Sequence, residues 1–467
     1  MKERSSGNTV AVIGGTGREH ALVDQYAESP DVERLICIPG NPMMLRNTKK
    51  EIEIFREYKG KRLTPTSIHE IVEICKRNGV NLVDVAQDDA VAVGVADATR
   101  EIGIPTVGFG KRDSKFEWDK AFSRDTSRKI GIPIPDYAVF RTERAGIDYL
   151  RTHSNMRRAI KAAYLAGGKG VSSAKNNEEA AIKIHELRRN FPKAARKYLL
   201  EEWMLNEDGT PGKEFSAFFI FDGKTWEFLG GAQDYKLSES GDRGENTGSM
   251  GGNSPTLIYT KEIAIQTEDI ADKTFSYLRK RGKASQGILY VSGIIVEQKG
   301  RKIAKLVEHN MRLGDPEAEL IVPGITNYFE INLAASHGDL SSIIVKSDGK
   351  KRVSIAGAAR GYPGDYSKVV GKKVDGVVEI MGRDGIRVFG AGVGVDEYDN
   401  YIVSGTNGRI FHIVGEGETF IDAREKVLAA FGRVGIQGNN LHYRPDISWQ
   451  DVERERSRIL TLKPRTF

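Results

Sequence analysis

The run TVAVIGG, residues 9–15, is apolar without interruption and ends in two glycines. A strand wetted on one face alternates apolar with polar residues. An unbroken run needs cover on both faces, as in a parallel sheet flanked by helices. RLICIPGN (34–41), NLVDVA (81–86) and PTVGFG (105–110) repeat the pattern. SIHEIVEICKRNG (67–79) has the other period: Ile68, Ile71, Val72 and Cys75 fall on one helical face. Ser67 and Glu70 have the spacing of a capping box, and Gly79 stands at the C-terminal stop. Strand and helix alternate over the first 110 residues, which predicts a doubly wound parallel sheet.

The pattern changes near residue 113. A helix over SKFEWDKAFSRDTSRKIG (114–131) leads into GIPIPDY, whose two prolines mark a linker. Strand-rich segments cut by glycine loops follow: AIKAAYLAGGKGVSSA, KYLLEEWM, EFSAFFIFDG and GILYVSGIIVEQKG. Beyond 346, short strands (353–359, 386–395, 401–415) precede one helix, FIDAREKVLAAFG, and predict a small β-rich C-terminal domain. A chain of 467 residues exceeds one ordinary core, and the expected units are 1–112, 113–345 and 346–452, with a basic tail at 453–467.

Composition narrows the class. The chain is 39% hydrophobic and 29% charged, as in soluble globular proteins. No apolar run approaches the ~20 residues of a membrane helix, and the start, MKERSSGN, lacks the apolar centre of a signal peptide. The expected setting is cytoplasmic, with no membrane partner. Cys37 and Cys75 sit inside apolar patterns without metal-ligand spacing, and are expected as buried thiols. The net charge of +6 comes from 70 basic residues interleaved with 64 acidic ones. Even the most basic stretch carries Glu453 and Glu455, so no nucleic-acid partner is expected.

Three glycine loops invite chemistry. Gly14-Gly15-Thr16-Gly17-Arg18-Glu19-His20 joins a strand to a helix, where bare amides favour a phosphate. His20 occupies the third glycine position of a dinucleotide fingerprint, and no acidic residue closes the second strand. A different anion or an ordinary tight turn therefore fits better than a nicotinamide. Gly167-Gly168-Lys169-Gly170 can close amides and one ammonium over phosphates, or form a hairpin turn. ENTGSMGG (245–252) can wrap a small anion or zwitterion, or be a plain surface loop.

The most charged strand end is LVEHNMRLGDPEAEL, 306–320. Residues two apart in a strand face one way, so Glu308 and Asn310 share a side and Val307 and His309 the other. A carboxylate and an amide oxygen side by side form a half-shell suited to Mg²⁺, with Arg312 following on the same face. The plain alternative is a solvated strand end with ion pairs.

Taken together, segments in the same order resemble the phosphoribosylamine–glycine ligases of the ATP-grasp superfamily. They are GREHAL (17–22), PGN (39–41), DKAF (119–122), GGKGV (167–171), EE (201–202), QDYK (233–236), NTGSMGGNSP (246–255), EHNMRLGDPEAE (308–319), GYPGDY (361–366) and RPDI (444–447). The resemblance implies a Rossmann-like N-terminal domain, an ATP-grasp fold with a mobile lid over about 131–201, and a barrel-like C-terminal domain. It implies an enzyme that ligates glycine to 5-phosphoribosylamine through glycyl phosphate, releasing ADP and phosphate, in de novo purine biosynthesis. ATP and Mg²⁺ (or Mn²⁺) are the implied cofactors, and a monomer or weak dimer the implied state.

It also assigns residues. Glu308 and Asn310 match metal ligands. Lys120, Lys161, Gly167, Gly168, Lys169, Gly170, Glu201, Glu202 and Glu214 match the nucleotide site. Arg312 and Asp315, with Lys169, would act on the transferred phosphoryl and the glycine. Gly17, Arg18, Glu19, His20, Gly40, Asn41 and Asp88 fall at the sugar-amine site. Asp234, Lys236, Asn246, Thr247, Gly248 and Met250 complete the substrate-binding set. The chain departs from the family pattern at Ala86-Gln87-Asp88-Asp89-Ala90-Val91, Ala163-Tyr164, Leu237 and Gly252-Asn253. These changes cluster near substrate, so a divergent ATP-grasp carboxylate–amine ligase is the alternative.

Overall fold

The computed structural model describes residues 7–46, 50–167, 169–282 and 284–462. The N-terminal strands are all parallel, in the spatial order Glu51–Ile54, Val32–Pro39, Asn8–Gly14, Leu82–Val85, Thr106–Val107. The order reverses at Asn8–Gly14, so a crevice opens beyond the ends of that strand and Leu82–Val85. Helix Gly17–Glu28 is buried from Gly17 through Ala27, because it is wedged between this sheet and the middle of the chain. Gln25 Nε2 donates to the Ile325 carbonyl at 2.9 Å, and Tyr26 packs on Tyr328 at 5.1 Å between ring centres.

A second sheet, antiparallel, has the order Val171–Ala174, Arg158–Ala162, Tyr198–Glu202, Tyr137–Phe140. Helices Glu143–Thr152 and Asn177–Asn190 cover it and give this small lobe a core of its own. The third sheet is the largest. Strands Arg301–Asn310, Gly287–Gln298, Lys213–Phe221, Trp226–Asp234, Gly251–Ser254, Lys351–Ala359, Arg409–Gly417 and Ile386–Gly390 run antiparallel, each beside the next. The C-terminal region thus shares its main sheet with the middle of the chain, although it keeps a core of its own under helix Phe420–Phe431.

Several local expectations need correction. Ser67 makes no side-chain cap; its hydroxyl accepts from the Thr64 N–H, and Glu70 pairs instead with Lys61 at 2.9 Å. The helix expected over 114–131 is two, Lys115–Trp118 and Lys120–Lys129. Asp119 leaves helical geometry and caps the second through the Phe122 N–H. The strand-rich middle also contains helix Lys261–Lys280. Its buried stripe includes Thr267 and Thr274, which hide the apolar period by turning their hydroxyls onto Ile263 and Ile270 carbonyls. The basic stretch from 453 lies through Leu462 in helix Trp449–Leu462. Asp451 anchors that helix by accepting from Asn253, Thr256 and the Leu257 N–H.

The loop over 245–252 is also different from a wrapping loop. Gly251 and Gly252 belong to the strand that joins the two halves of the long sheet. Gly251 has φ +151°, and a Cβ there would lie 2.2 Å from the Ser354 carbonyl oxygen. Glycine is required by the close approach of two backbones. Gly251→Ala is expected to destabilise the fold by about 2–3 kcal/mol through overpacking, read as a lower urea midpoint at unchanged m-value. A midpoint equal to that of the parent would contradict this account.

Candidate active site

The three regions meet around one cleft of ≈ 2470 Å³. Its walls carry Gly15 and Arg18 from the N-terminal unit, Lys161 and Glu201 from the small lobe, Glu308 and Arg312 from the long sheet, and Arg409 from the C-terminal region.

The end of strand Arg301–Asn310 explains the charged stretch. Past an irregularity at Val307, Glu308 pairs with Ser292 and Asn310 with Tyr290. Glu308, Asn310 and Arg312 all line the cleft. His309 points the other way, its Nδ1 3.0 Å from Ser123 Oγ and its Nε2 3.0 Å from Thr274 Oγ1, with Phe116 at 4.8 Å. Burial lowers His309 to a pKa of about 3, so it is a neutral core imidazole rather than a ligand.

Glu308 accepts from Lys120 Nζ at 2.5 Å. Against burial, Lys120 and Lys161 hold its carboxyl well below the usual range, so it is an anion at neutral pH. Asn310 is buried, and its Oδ1 has only a long 3.4 Å contact from Arg312 Nη2. Two oxygen donors side by side, one anionic and one loosely engaged, fit a hard divalent cation.

Lys161 lies diagonally across neighbouring strands from Glu201, Nζ to Oε2 2.8 Å. Arg124 grips the same carboxylate through Nε at 2.7 Å and Nη2 at 3.0 Å. Both cations overcome burial to hold Glu201 down to about 2. Lys161 is pulled the other way: burial and Arg124 lower its pKa, and Glu201 is the first influence to raise it. Glu201 therefore orients and charges Lys161, and its carboxylate is not a free acceptor.

Nearby, Lys236 Nζ lies 2.8 Å from Asp234 and 3.0 Å from Glu214. Burial lifts Asp234 above its ordinary value, with Glu317 and Glu214 adding to the rise and Lys236 opposing it. Also on the cleft wall, Arg18 Nη2 donates to Gln87 Oε1 at 2.8 Å, and Gln87 Nε2 to Asp88 Oδ1 at 2.9 Å. Arg312 pairs with Glu117 at 2.9 Å, and Arg409 with Asp315 at 3.1 Å.

Residues 8–117, 118–318 and 352–450 match, in order, the N, ATP-grasp (A) and C domains of phosphoribosylglycinamide synthetase. The phosphoribosylamine–glycine ligase of Caulobacter vibrioides is 32% identical over 450 residues, covering 96% of this chain and 99% of that protein. That of Haemophilus influenzae is 30% identical with the same coverage. The chain belongs to the phosphoribosylglycinamide synthetase family. Among solved structures, the phosphoribosylamine–glycine ligase of Thermotoga maritima superposes with a TM-score of 0.74 at 26% identity, over 94% of this chain and all of that one. A biotin carboxylase of Campylobacter jejuni, at 13% identity and TM-score 0.67 over 96% and 95% of the two chains, shares the fold alone.

Within this synthetase fold, most expected residues border the cleft: Arg18, Gly40, Asn41, Asp88, Lys161, Gly167, Lys169, Glu201, Glu202, Glu214, Asp234, Lys236, Asn246, Thr247, Gly248, Glu308, Asn310, Arg312 and Asp315. Lys120 reaches it through Glu308. Lys169 is exposed on the turn between strands Arg158–Ala162 and Val171–Ala174, and Gly168 lies outside the described residues. Five expected residues stand back from the walls. Gly17 is buried at the start of its helix, and Gly170 is buried against Ala166. Glu19 turns back to accept from the Thr16 N–H at 2.8 Å and from Arg18 at 2.5 Å. His20 accepts from the Gly390 N–H at 2.8 Å, and burial lowers its pKa to about 3. Met250 is fully buried in the C-terminal core. The resemblance places each of these at a ligand, and none of the five lines the cleft.

The sequence reading missed Arg124, Glu117 and Arg409. Arg124 is one of several basic residues in SRDTSRK, and nothing in the sequence marks it as the partner of Glu201. The altered flap root is tied down as well. Lys120 N–H donates to the Ala163 carbonyl at 2.8 Å, and Arg196 and Lys197 lie 4.4 and 5.1 Å from the centre of the Tyr164 ring.

Proposed function

We propose that the chain ligates glycine to 5-phosphoribosylamine, with ATP converted to ADP and phosphate through glycyl phosphate, a step of de novo purine biosynthesis. The observation that carries this reading is that the Lys120–Glu308 pair, Lys161, Asn310 and Arg312 sit in the same cleft as the loops of Arg18 and Asp88. Charges suited to phosphoryl transfer thus face loops suited to the acceptor.

A carboxylate is a poor electrophile, and phosphorylation gives it a leaving group. The protein then has to neutralise phosphate charge and align the transfer. Glu308 and Asn310 would hold Mg²⁺ or Mn²⁺, which would supply positive charge against the phosphates. Lys161 and Lys120 add fixed cations beside them, and Lys169 with Gly167–Gly170 covers the phosphates from the lobe above. Glu202 and Glu214 border the nucleoside. Arg312, braced by Glu117, steadies the transferred phosphoryl, while Asp315 faces the glycine. Arg18 and Asp88 hold the sugar amine.

The test supplies ATP, Mg²⁺ and a panel of small carboxylates, with phosphoribosylamine generated in place because it decays in water. ADP and coupled product are both measured. The expected result is sustained ADP release only with glycine and phosphoribosylamine together, and no AMP. Product from another carboxylate or amine, with none from glycine, would support the divergent ligase instead. That second reading is favoured by one observation: Gln87 engages Arg18 Nη2, taking up a donor on the acceptor side of the cleft. Absence of ATP consumption by folded protein would overturn both.

A further inference from the structure

We propose that Asp315, Glu319 and His412 form a second cation site, for a divalent transition ion of the Zn²⁺ or Co²⁺ type. One ligand atom from each lies within 4.8 Å of the others. His412 Nε2 is 3.4 Å from Asp315 Oδ1 and 3.8 Å from Glu319 Oε1. These separations do not make hydrogen bonds. Both carboxylate oxygens of Glu319 and both ring nitrogens of His412 are buried without a hydrogen-bond partner, and Asp315 Oδ1 makes no hydrogen bond beside its ion pair with Arg409. The side chains of Glu319 and His412 are 0% exposed. Buried polar atoms in such number call for a shared partner.

The spacing suits an ion. Bonds of about 2.1 Å in a tetrahedral shell put neighbouring ligand atoms about 3.4 Å apart. The donors come from ordered elements: Glu319 from helix Glu317–Ile321, Asp315 from the turn before it, His412 from strand Arg409–Gly417. Gly17 borders the same space, where a Cβ would lie 2.4 Å from Glu319 Oε1 and 2.9 Å from His412 Cδ2. Asp315 lines the cleft and provides the entry path.

The donor set selects the ion class. Mg²⁺ and Ca²⁺ prefer shells of oxygen alone, whereas an imidazole with two carboxylates suits Zn²⁺, Co²⁺ or a related ion. Arg409 opposes a cation, because its Nη1 is 3.1 Å from Asp315 Oδ1. It also donates to the carbonyls of Gly248 at 2.7 Å and Asp315 at 2.8 Å. The guanidinium is therefore held by backbone and keeps those bonds when Oδ1 turns to an ion. An ion here would tie the C-terminal strand to the loop that presents Asp315, next to the first glycine loop. The inference holds whichever carboxylate the cleft activates.

The test titrates metal-free full-length protein with Co²⁺, followed by equilibrium dialysis and visible absorption, with Zn²⁺ as competitor. One equivalent with tetrahedral-type absorption is expected, displaced by Zn²⁺. It should persist in Glu308→Ala and disappear in Glu319→Gln and His412→Gln. Glu319→Gln keeps the shape and removes a buried charge, so it decides the matter even where His412→Gln fails to fold. Binding unchanged in Glu319→Gln, binding lost in Glu308→Ala, or no bound Co²⁺ in the parent would each overturn the site. In that last case Glu319 is protonated, the form that burial and the neighbouring Asp315 favour.

Discussion

Glu308→Ala is expected to reduce turnover about 10³-fold or more while leaving the fold nearly intact. A bound divalent ion stabilises developing phosphoryl charge by several kcal/mol, and each ~1.4 kcal/mol is tenfold in rate. Glu308 is the anionic member of the Glu308–Asn310 pair, so its loss removes most of the attraction for the ion. The stability cost is small for a separate reason. The Glu308 and Lys120 side chains remain 32% and 24% exposed, so water can solvate the lysine left behind. Steady-state rates over a range of Mg²⁺ concentrations, beside thermal melts of parent and variant, check both halves. A rate loss that merely tracks a loss of folded protein would mean that the strand end is structural. Asn310→Ala should act in the same direction and more weakly, since it removes a neutral ligand.

The parallel N-terminal sheet and the cleft-facing alternation at Glu308 and Asn310 were legible because a single local period encodes each. An unbroken apolar run demands cover on both faces, and a two-residue repeat places alternate side chains on opposite sides. What escaped depends on contacts far apart in the chain. Asp119 breaks an otherwise good helical pattern because it caps a new helix while Lys197 pairs with it at 2.9 Å. Helix Lys261–Lys280 was hidden by threonines that satisfy themselves on their own backbone. Glu19 and His20 fall at the sugar-amine site by the resemblance, yet helix Gly17–Glu28 is buried from Gly17 through Ala27 and both side chains bond within the protein. The glycines at 251 and 252 read as part of a loop able to wrap a small anion; the reason for them is the Ser354 and Gln233 carbonyls pressed against them from neighbouring strands. No local pattern states such a close approach.

Glu201 carries the second large effect, and it acts through its neighbours. Its carboxylate is shared by Arg124 and Lys161, with all three side chains under one-tenth exposed. Removing one member of a buried ionic group leaves the others uncompensated, at a cost of about 3–5 kcal/mol. Glu201→Ala is therefore expected to lower stability by that amount, measured by urea unfolding. Glu201→Gln should cost less, because the amide oxygen still accepts one bond. Both should weaken ATP binding more than they weaken glycine binding. Burial and Arg124 already lower the Lys161 pKa, and Glu201 is the main influence that restores it, so its loss favours the neutral amine. The pH dependence follows from the direction of the Glu201 shift. Arg124 and Lys161 hold the folded-state carboxyl down to about 2 against burial, below the ~4.3 of an unfolded chain. Its contribution is complete above the unfolded value and is lost as pH falls through about 2. The urea midpoint of the parent should thus decline more steeply than that of Glu201→Gln between pH ~4.5 and ~2. Parallel declines, or ATP affinity unchanged in Glu201→Gln, would show that Lys161 keeps its charge without this carboxylate.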